Sequence, residues 1–194
     1  MWSAAILAGG RATRFGGRDK GALVVDGRTI LDRQIAELSA VTDDLLIVGG
    51  HRRHPGARFV TDLVDGCGPM GGVHAALTEA RGDAVFVVAC DMPYVTAPLA
   101  AYLLDLAQHA DIVVPHTERG YHPLAAVYTR ACLDAIARRL AGRQLKMSEL
   151  FAELRTRVVG GDEIDTFGAR DRLLANVNTP AEYAGLEALQ GHKL

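Results

Sequence analysis

The 194-residue sequence has few cysteines, little net charge and no long apolar run. Cys67, Cys90 and Cys132 are odd in number and show neither CxxC nor zinc-finger spacing, which argues against a disulfide scaffold and a zinc site. The 21 Lys and Arg residues nearly balance the 23 Asp and Glu residues, so the bulk attraction that drives non-specific nucleic-acid binding is absent. No apolar run approaches the roughly 20 residues that span a bilayer, and residues 1–3 lead into the first apolar run without a basic leader. We therefore expect a cytoplasmic protein with no nucleic-acid or membrane partner.

The length and the 49% hydrophobic content suit one α/β domain with a full core, covering residues 1–194. Apolar runs typical of buried strands alternate with segments of helical spacing. The predicted strands are 4–8, 45–48, 58–61, 84–89, 111–115, 123–128 and 157–159. The predicted helices are 30–40, 70–80, 99–107, 132–140, 147–154 and 181–190. This alternation predicts a three-layer α/β sandwich with a Rossmann-like, mostly parallel sheet, whose ligands bind at the carboxyl ends of the strands.

One pair of strands departs from the alternation. Residues 111–115 and 123–128 follow one another without an intervening helix. Parallel neighbours need a crossover, so this pair predicts an antiparallel member of the sheet.

The strand at 4–8 opens into a glycine-rich, basic loop. Glycines let a ligand approach backbone N–H groups, while Arg14 and Lys20 supply positive charge beside them. This combination suits a polyphosphate such as a nucleoside triphosphate. Lys20 is followed by Gly21 rather than Ser or Thr, and no GxGxxG occurs, so the loop is neither a Walker A motif nor a dinucleotide fingerprint.

Residue by residue, the loop matches L-A-G-G-x3-R-[FM]-G-x3-K, in Leu7-Ala8-Gly9-Gly10, Arg14-Phe15-Gly16 and Lys20. In this it resembles the molybdenum cofactor guanylyltransferases, a branch of the nucleotidyltransferases, and the resemblance extends to about residue 183. It implies that Leu7, Ala8, Gly9, Gly10 and Lys20 bind the nucleotide, and Gly9-Gly10 favours guanine over the L-A-A-G form of pyrimidine enzymes. Lys20 and Arg14 would stabilise charge on the α-phosphate and the leaving pyrophosphate. Alternatively, Lys20 and Arg14 are ordinary solvated charges of a surface loop.

Two acids follow predicted strands that come one after the other in the sequence. Asp91 comes after strand 84–89, and Asp62 after strand 58–61, with Asp65 close by. Mg²⁺ usually takes only one or two protein carboxylates. By resemblance Asp91, in the C-D-x-P element, is catalytic, contacts the nucleotide and holds Mg²⁺, and Asp62 contacts the nucleotide. The alternative for both is a plain turn residue.

Two later segments bear on a second substrate. His122-Pro123-Leu124 and Asn176-Val177-Asn178-Thr179-Pro180 resemble segments of the same family, which implies molybdopterin contacts from His122, Asn176 and Asn178. From composition alone, Thr179-Pro180 is a helix start and His122 a turn histidine.

Two glycine positions complete the comparison. Gly68-Pro69-Met70-Gly71-Gly72 is similar to the family's G-P-L-x-G element. Many members of that family have an Asn that contacts the nucleotide where this sequence has Gly49. The resemblance therefore implies that the contact is lost here or is made by the backbone of Gly49.

The resemblance implies attack by the terminal phosphate of molybdopterin on the α-phosphorus of Mg-GTP, giving the dinucleotide cofactor and pyrophosphate. A molybdoenzyme or its chaperone would receive the product. A cytidylyltransferase for the same cofactor, a sugar-phosphate nucleotidyltransferase and a nucleotide-binding chaperone without turnover are the alternatives.

Overall fold

The computed structural model describes residues 1–8, 20–50, 53–61 and 66–177. The strands in these residues are β1 (Trp2–Leu7), β2 (Val24–Val25), β3 (Arg28–Thr29), β4 (Leu45–Val48), β5 (Arg58–Val60), β6 (Ala84–Ala89), β7 (Ile112–Thr117), β8 (Gly120–Tyr121), β9 (Ala125–Thr129) and β10 (Thr156–Val159). The helices are α1 (Ile30–Leu38), α2 (Gly68–Glu79), α3 (Ala97–Leu106), α4 (Leu133–Ala141), α5 (Met147–Leu150), α6 (Gly161–Asp165) and α7 (Arg170–Leu173). Within this part of the chain, no helix has the length and apolar character to cross a membrane.

The main sheet has the strand order β10-β7-β9-β6-β1-β4-β5, with β8 paired to β7. Strand β9 runs antiparallel to both of its neighbours, β6 and β7. The pairs of β1 with β4 and β6, of β4 with β5, and of β7 with β10 are parallel. The predicted α/β class and its antiparallel member are therefore confirmed.

Apart from Ser3 in β1, the strands β1, β4 and β6 are apolar because helices cover both faces of the sheet. Along β1, Ala4 and Ile6 belong to the core formed with α1 and α3, while Ala5 and Leu7 belong to the core formed with α2 and α4. All six residues of β6 are buried. The sheet thus separates two hydrophobic cores, which gives the three layers expected from the sequence.

The C-terminal half differs from the prediction in its short elements. The helix predicted over 147–154 ends at Leu150. Beyond it the Thr156 hydroxyl lies 3.0 Å from the carbonyl oxygen of Phe151 and takes part in a turn. Helices α6 and α7 and strand β8 were not predicted, since elements of two to five residues are too short for a periodic pattern. The helix predicted over 181–190 lies outside the described residues.

A buried carboxylate joins the amino ends of the parallel strands. Asp44, just before β4, accepts hydrogen bonds from the Ser3 hydroxyl at 2.6 Å, the Arg81 N–H at 2.8 Å and the Arg58 guanidinium at 2.8 Å. Ser3 in turn accepts the Gly82 N–H at 2.9 Å. Burial alone would raise the pKa of Asp44, but these hydrogen bonds and the charge of Arg58 outweigh it and lower the pKa.

We expect Asp44→Asn to reduce the free energy of unfolding by about 1–3 kcal/mol at neutral pH, because buried donors lose their charged acceptor. A carboxylate with a lowered pKa stabilises the folded state above the pKa of the unfolded chain and loses that effect as the pH falls toward its own pKa. The difference from wild type should therefore shrink below about pH 4. Urea denaturation at neutral and acid pH measures it, with Asp43→Asn at the exposed neighbour as the control. A difference that stays constant with pH would contradict this role for Asp44.

Candidate active site

The carboxyl ends of four parallel strands meet in register at one edge of the sheet. Leu7 lies opposite Val48 on one side and Ala89 on the other, and Val48 lies opposite Val60. The hydrogen-bond ladder continues one residue further, since the Ala8 N–H donates to the Val48 carbonyl at 2.9 Å. The loops that follow β1, β4, β5 and β6 therefore begin side by side, where a parallel sheet is expected to bind its ligand.

The turn after β4 packs against the start of the loop after β1. Gly49 and Gly50 have φ of +74° and +67°, a left-handed conformation that favours glycine. A Cβ on Gly50 would lie 3.0 Å from the Ala8 carbonyl oxygen. The Gly49 N–H donates to the Val60 carbonyl at 2.9 Å, so this N–H is engaged within the sheet.

Asp91 lies in a β-turn that closes directly after β6. The Met92 N–H donates to the Ala89 carbonyl at 3.2 Å, which puts Cys90 and Asp91 at the two central positions. The Cys90 N–H donates to the Leu7 carbonyl at 3.1 Å and fixes the turn to β1. Asp91 is half-buried. A half-buried carboxylate at this edge fits a Mg²⁺ ion that takes one or two protein ligands. Among the described residues, no group of three or more His, Cys, Asp or Glu side chains could hold a metal.

The segment before the C-terminus docks on this turn. The Val177 N–H donates to the Asp91 carbonyl at 2.8 Å, and the fully buried Val177 packs with Val25, Ile30 and Tyr94. This hydrogen bond brings the neighbouring, exposed Asn176 to the Asp91 edge.

Two arginines enclose the aromatic residue of this small cluster. The guanidinium groups of Arg33 and Arg172 lie 5.5 and 4.5 Å from the centre of the Tyr94 ring. Distances of this size are typical of cation–π contacts. Because Arg33 belongs to α1 and Arg172 to α7, the contacts connect both elements to the chain that follows Asp91.

The His122 segment lies next to β6 at the same edge. The Ala89 N–H donates to the Leu124 carbonyl at 3.0 Å, and the His122 N–H donates to the Pro115 carbonyl near the end of β7 at 2.9 Å. The His122 ring is partly buried, with Nε2 2.9 Å from the Thr117 hydroxyl.

The pKa of His122 is lowered from its usual value, first by burial and then by the nearby charges of Arg119 and His116. A neutral imidazole can donate one hydrogen bond and accept another. The environment therefore favours a hydrogen-bonding role for His122 over that of a fixed positive charge.

Helix α2 begins at this edge, because it follows the loop after β5 and runs back toward the start of β6. Its first residue, Gly68, has φ of +56°, and Pro69 lies in the first turn. The helix approaches β1 so closely that a Cβ on Gly72 would lie 3.1 Å from a Leu7 methyl group. The positive end of the helix dipole thus faces the edge that carries Asp91, which suits an anionic ligand.

A separate open cavity of about 530 Å³ lies further along the edge, at the ends of β7 and β10. Arg170 enters it and pairs with Glu118 at 3.1 Å, Asp162 at 2.9 Å and Asp165 at 2.5 Å. One arginine faces three carboxylates there, so the cavity keeps an excess of negative charge that disfavours a polyphosphate, and the edge around Asp91 is the stronger candidate.

The structure brings together Leu7, Ala8, Gly49, Asp91, His122 and Asn176 at one edge. The predicted residues Gly9, Gly10, Arg14, Asp62 and Asn178, and the side chain of Lys20, lie outside what it describes. Gln34 was missed: its buried amide donates to the carbonyls of Ala89 and Met92, on either side of Asp91. A polar residue among apolar ones on the buried side of a helix was the available signal.

An open, mostly parallel sheet with a glycine turn, an acidic turn and a helix N-terminus at adjacent carboxyl ends defines a nucleotide-binding α/β protein. Residues 4–158 match the MobA-like NTP transferase domain family. The molybdenum cofactor guanylyltransferase of Desulfosudis oleivorans is 34% identical over 187 residues, which cover 94% of this chain and 93% of that protein. The chain belongs to the MobA-like NTP transferase family and is a nucleotidyltransferase.

Solved structures share the fold. Molybdopterin-guanine dinucleotide biosynthesis protein A from Archaeoglobus fulgidus superposes with a TM-score of 0.84 at 23% identity, over 98% of this chain and 99% of that one. A Mycobacterium tuberculosis protein in complex with manganese superposes with a TM-score of 0.61 at 17% identity, over 82% of this chain and 87% of that one. At these identities the similarity concerns the fold alone, while a divalent metal is general in the nucleotidyltransferase family.

We expect the His122 ring to titrate with a midpoint below its usual pKa of about 6.5, because burial and nearby positive charge disfavour the protonated form. Arg119→Gln should move the midpoint upward, since it removes one of those charges. Titration of the imidazole protons by NMR, assigned against His122→Gln, measures both. A midpoint at or above 6.5 in the wild type would contradict the lowered pKa of His122.

Proposed function

We propose that the protein transfers GMP from Mg-GTP to the terminal phosphate of molybdopterin, giving the guanine dinucleotide cofactor and pyrophosphate. One observation carries the proposal: the Asp91 carbonyl accepts the Val177 N–H at 2.8 Å. Through this bond the proposed metal ligand and the proposed acceptor segment share one turn. The name of the family supports a nucleoside triphosphate donor, and the name of the Desulfosudis oleivorans relative supports transfer of a guanylyl group to the molybdenum cofactor.

The nucleotide would lie over the ends of β1, β4 and β5. Leu7, Ala8, Gly9 and Gly10 would present main-chain groups to it, and Asp62 would contact it from the loop after β5. At Gly49 the N–H is engaged with Val60, so a main-chain contact there would use the carbonyl, which can accept from the N–H groups of guanine.

The chemistry needs positioning and charge stabilisation more than acid–base catalysis. A terminal phosphate oxygen of the acceptor forms a bond to the α-phosphorus while the bond from that phosphorus to the β-phosphate bridging oxygen breaks. The nucleophile is already ionised, so no general base is required. Asp91 would hold Mg²⁺, which supplies charge neutralisation when bound, and Lys20 and Arg14 would stabilise the charge that develops on the α-phosphate and pyrophosphate.

The acceptor would lie on the β9 side of the edge. His122, Asn176 and Asn178 offer neutral donors and acceptors that suit a pterin or its phosphate. Because the main strands form one continuous sheet, we also propose that residues 1–194 act as a single domain. We propose further that the product passes to a molybdoenzyme or its chaperone.

We expect pyrophosphate release when the protein is incubated with Mg²⁺, molybdopterin and GTP, and much less with CTP, ATP or UTP. Pyrophosphate is measured directly, and mixtures without molybdopterin are the control for hydrolysis. A preference for CTP would contradict the guanylyl assignment. Absence of pyrophosphate with all four nucleotides would favour a nucleotide-binding chaperone.

We expect Asp91→Ala to lower kcat by about a hundredfold or more, since a metal contributes several kcal/mol to transition-state stabilisation. The fold should survive, because the bond from Val177 goes to the Asp91 main chain. Asp83→Ala, an exposed acid at the other end of β6, is the matched control. Turnover and thermal melting are measured for both, and a near-normal rate for Asp91→Ala would place the metal elsewhere.

A further inference from the structure

A glutamine stands on the buried side of α1 among apolar residues. Ile30, Leu31, Ile35 and Leu38 on this side are buried, as the helical spacing predicts. Gln34 shares the side and is only 2% exposed. Its Oε1 has no hydrogen-bond partner among the described residues. A buried amide oxygen without a donor costs free energy, so an apolar residue would serve the helix and its core better.

The amide group of this glutamine spans the turn that carries Asp91. Gln34 Nε2 donates to the carbonyl of Ala89 at 2.7 Å and to the carbonyl of Met92 at 2.9 Å. These are the first and last residues of the β-turn, so one side chain connects the two ends. The turn is thereby held from α1 as well as by its own Met92 N–H bond.

Two more polar side chains of α1 follow the same stretch of chain. Arg33 Nε donates to the Pro93 carbonyl at 3.1 Å. The Glu37 carboxylate accepts the Ala97 N–H at 2.8 Å, at the start of α3. Successive turns of α1 therefore hold the chain from the Asp91 turn to α3, and Gln34 holds the part nearest to Asp91.

Helix α1 also adjoins the exit of the glycine-rich loop. The Ile30 N–H at its start donates to the Leu23 carbonyl at 2.9 Å, and Leu23 follows the 3-10 turn Lys20–Ala22. One rigid helix thus connects the chain near Lys20 with the turn near Asp91, and so relates the two sides of the proposed metal–triphosphate site.

We infer that Gln34 is a positioning residue: its amide fixes the Asp91 turn, and so sets how well the Asp91 carboxylate binds the metal. This inference rests on the proposed function, in which Asp91 is the metal ligand. Residues that orient a ligand commonly change metal affinity when they are replaced, although they touch neither metal nor substrate.

The test replaces Gln34 by Met, which has a similar length and volume and no donor. In the presence of GTP and without molybdopterin, free Mn²⁺ is measured by electron paramagnetic resonance, which needs no turnover. We expect the dissociation constant for Mn²⁺ to rise about tenfold in Gln34→Met. The Mg²⁺ concentration for half-maximal pyrophosphate release should rise in parallel, while KM for GTP at saturating Mg²⁺ changes little.

Ser3→Ala is the matched control, because Ser3 is a fully buried polar side chain that joins strand and loop at the opposite edge of the sheet. It should melt at a lower temperature and keep wild-type affinity for Mn²⁺. Arg33→Met is a second variant, which removes the bond from α1 to the Pro93 carbonyl at a partly exposed position. We expect a smaller rise in its dissociation constant for Mn²⁺, and this variant can be measured even if Gln34→Met does not fold.

The outcomes separate the inference from the proposed function. Wild-type turnover with unchanged Mn²⁺ affinity in Gln34→Met, or in Arg33→Met where Gln34→Met is unfolded, would overturn the role of Gln34 and leave the proposed function intact. A rise of similar size in Ser3→Ala would show a general loss of stability and would also overturn it. Failure of the wild type to bind Mn²⁺ and to release pyrophosphate would overturn the proposed function and the inference with it.

Discussion

The pairing of β1 between β4 and β6 is the constraint on which the rest of the carboxyl edge depends. Leu7 lies opposite both Val48 and Ala89, and the ladder extends to the N–H groups of Ala8 and Cys90. A shift of one residue in a strand would reverse the faces of its side chains. Because Ala5 and Leu7 belong to one core and Ala4 and Ile6 to the other, such a shift would place these four side chains in the wrong core. Burial therefore fixes the register, and the register fixes which loops meet.

Main-chain hydrogen bonds bring the site elements together, and side chains then hold them. The bonds from Cys90 to Leu7 and from Val177 to Asp91 use no side chain. They tolerate substitution at those positions. The bonds from Gln34 and Arg33 depend on particular side chains. At the amino ends of the strands, β-pairing likewise sets the register, and the hydrogen bond between the Ser3 and Asp44 side chains then stabilises it.

The sequence patterns predicted the long elements well for a physical reason. A strand buried on both faces, such as β6, must be apolar at every position, and an amphipathic helix such as α1 must repeat its apolar residues at helical spacing. Short elements carry no such repeat, which is why α6, α7 and β8 went unpredicted. The antiparallel β9 was predictable because the chain between it and β7 is too short for a crossover.

In the candidate site, too, some residues were predictable from the local sequence pattern and others were not. Asp91 and Gly49 were predictable as residues that follow apolar runs, and the structure places them at the expected edge; their roles, like those of Arg14, Lys20 and Asp62, stay predictions. Gln34 and Asp44 depend on contacts between residues distant in sequence. Their local sequence shows only a polar residue next to apolar ones, and the partner is visible only in the folded chain.

The bond between Val177 and Asp91 also bears on the order in which the protein matures. Val177 follows every strand and helix of the described residues, so its bond to Asp91 can form only after all of them have been synthesised. During synthesis from the N-terminus, β1, β4, β5 and β6 can pair before residue 177 has left the ribosome. The ends of β1, β4, β5 and β6 would then meet before Val177 docks on the Asp91 turn, so a chain interrupted before residue 177 could pair these strands yet lack the segment that adjoins Asp91.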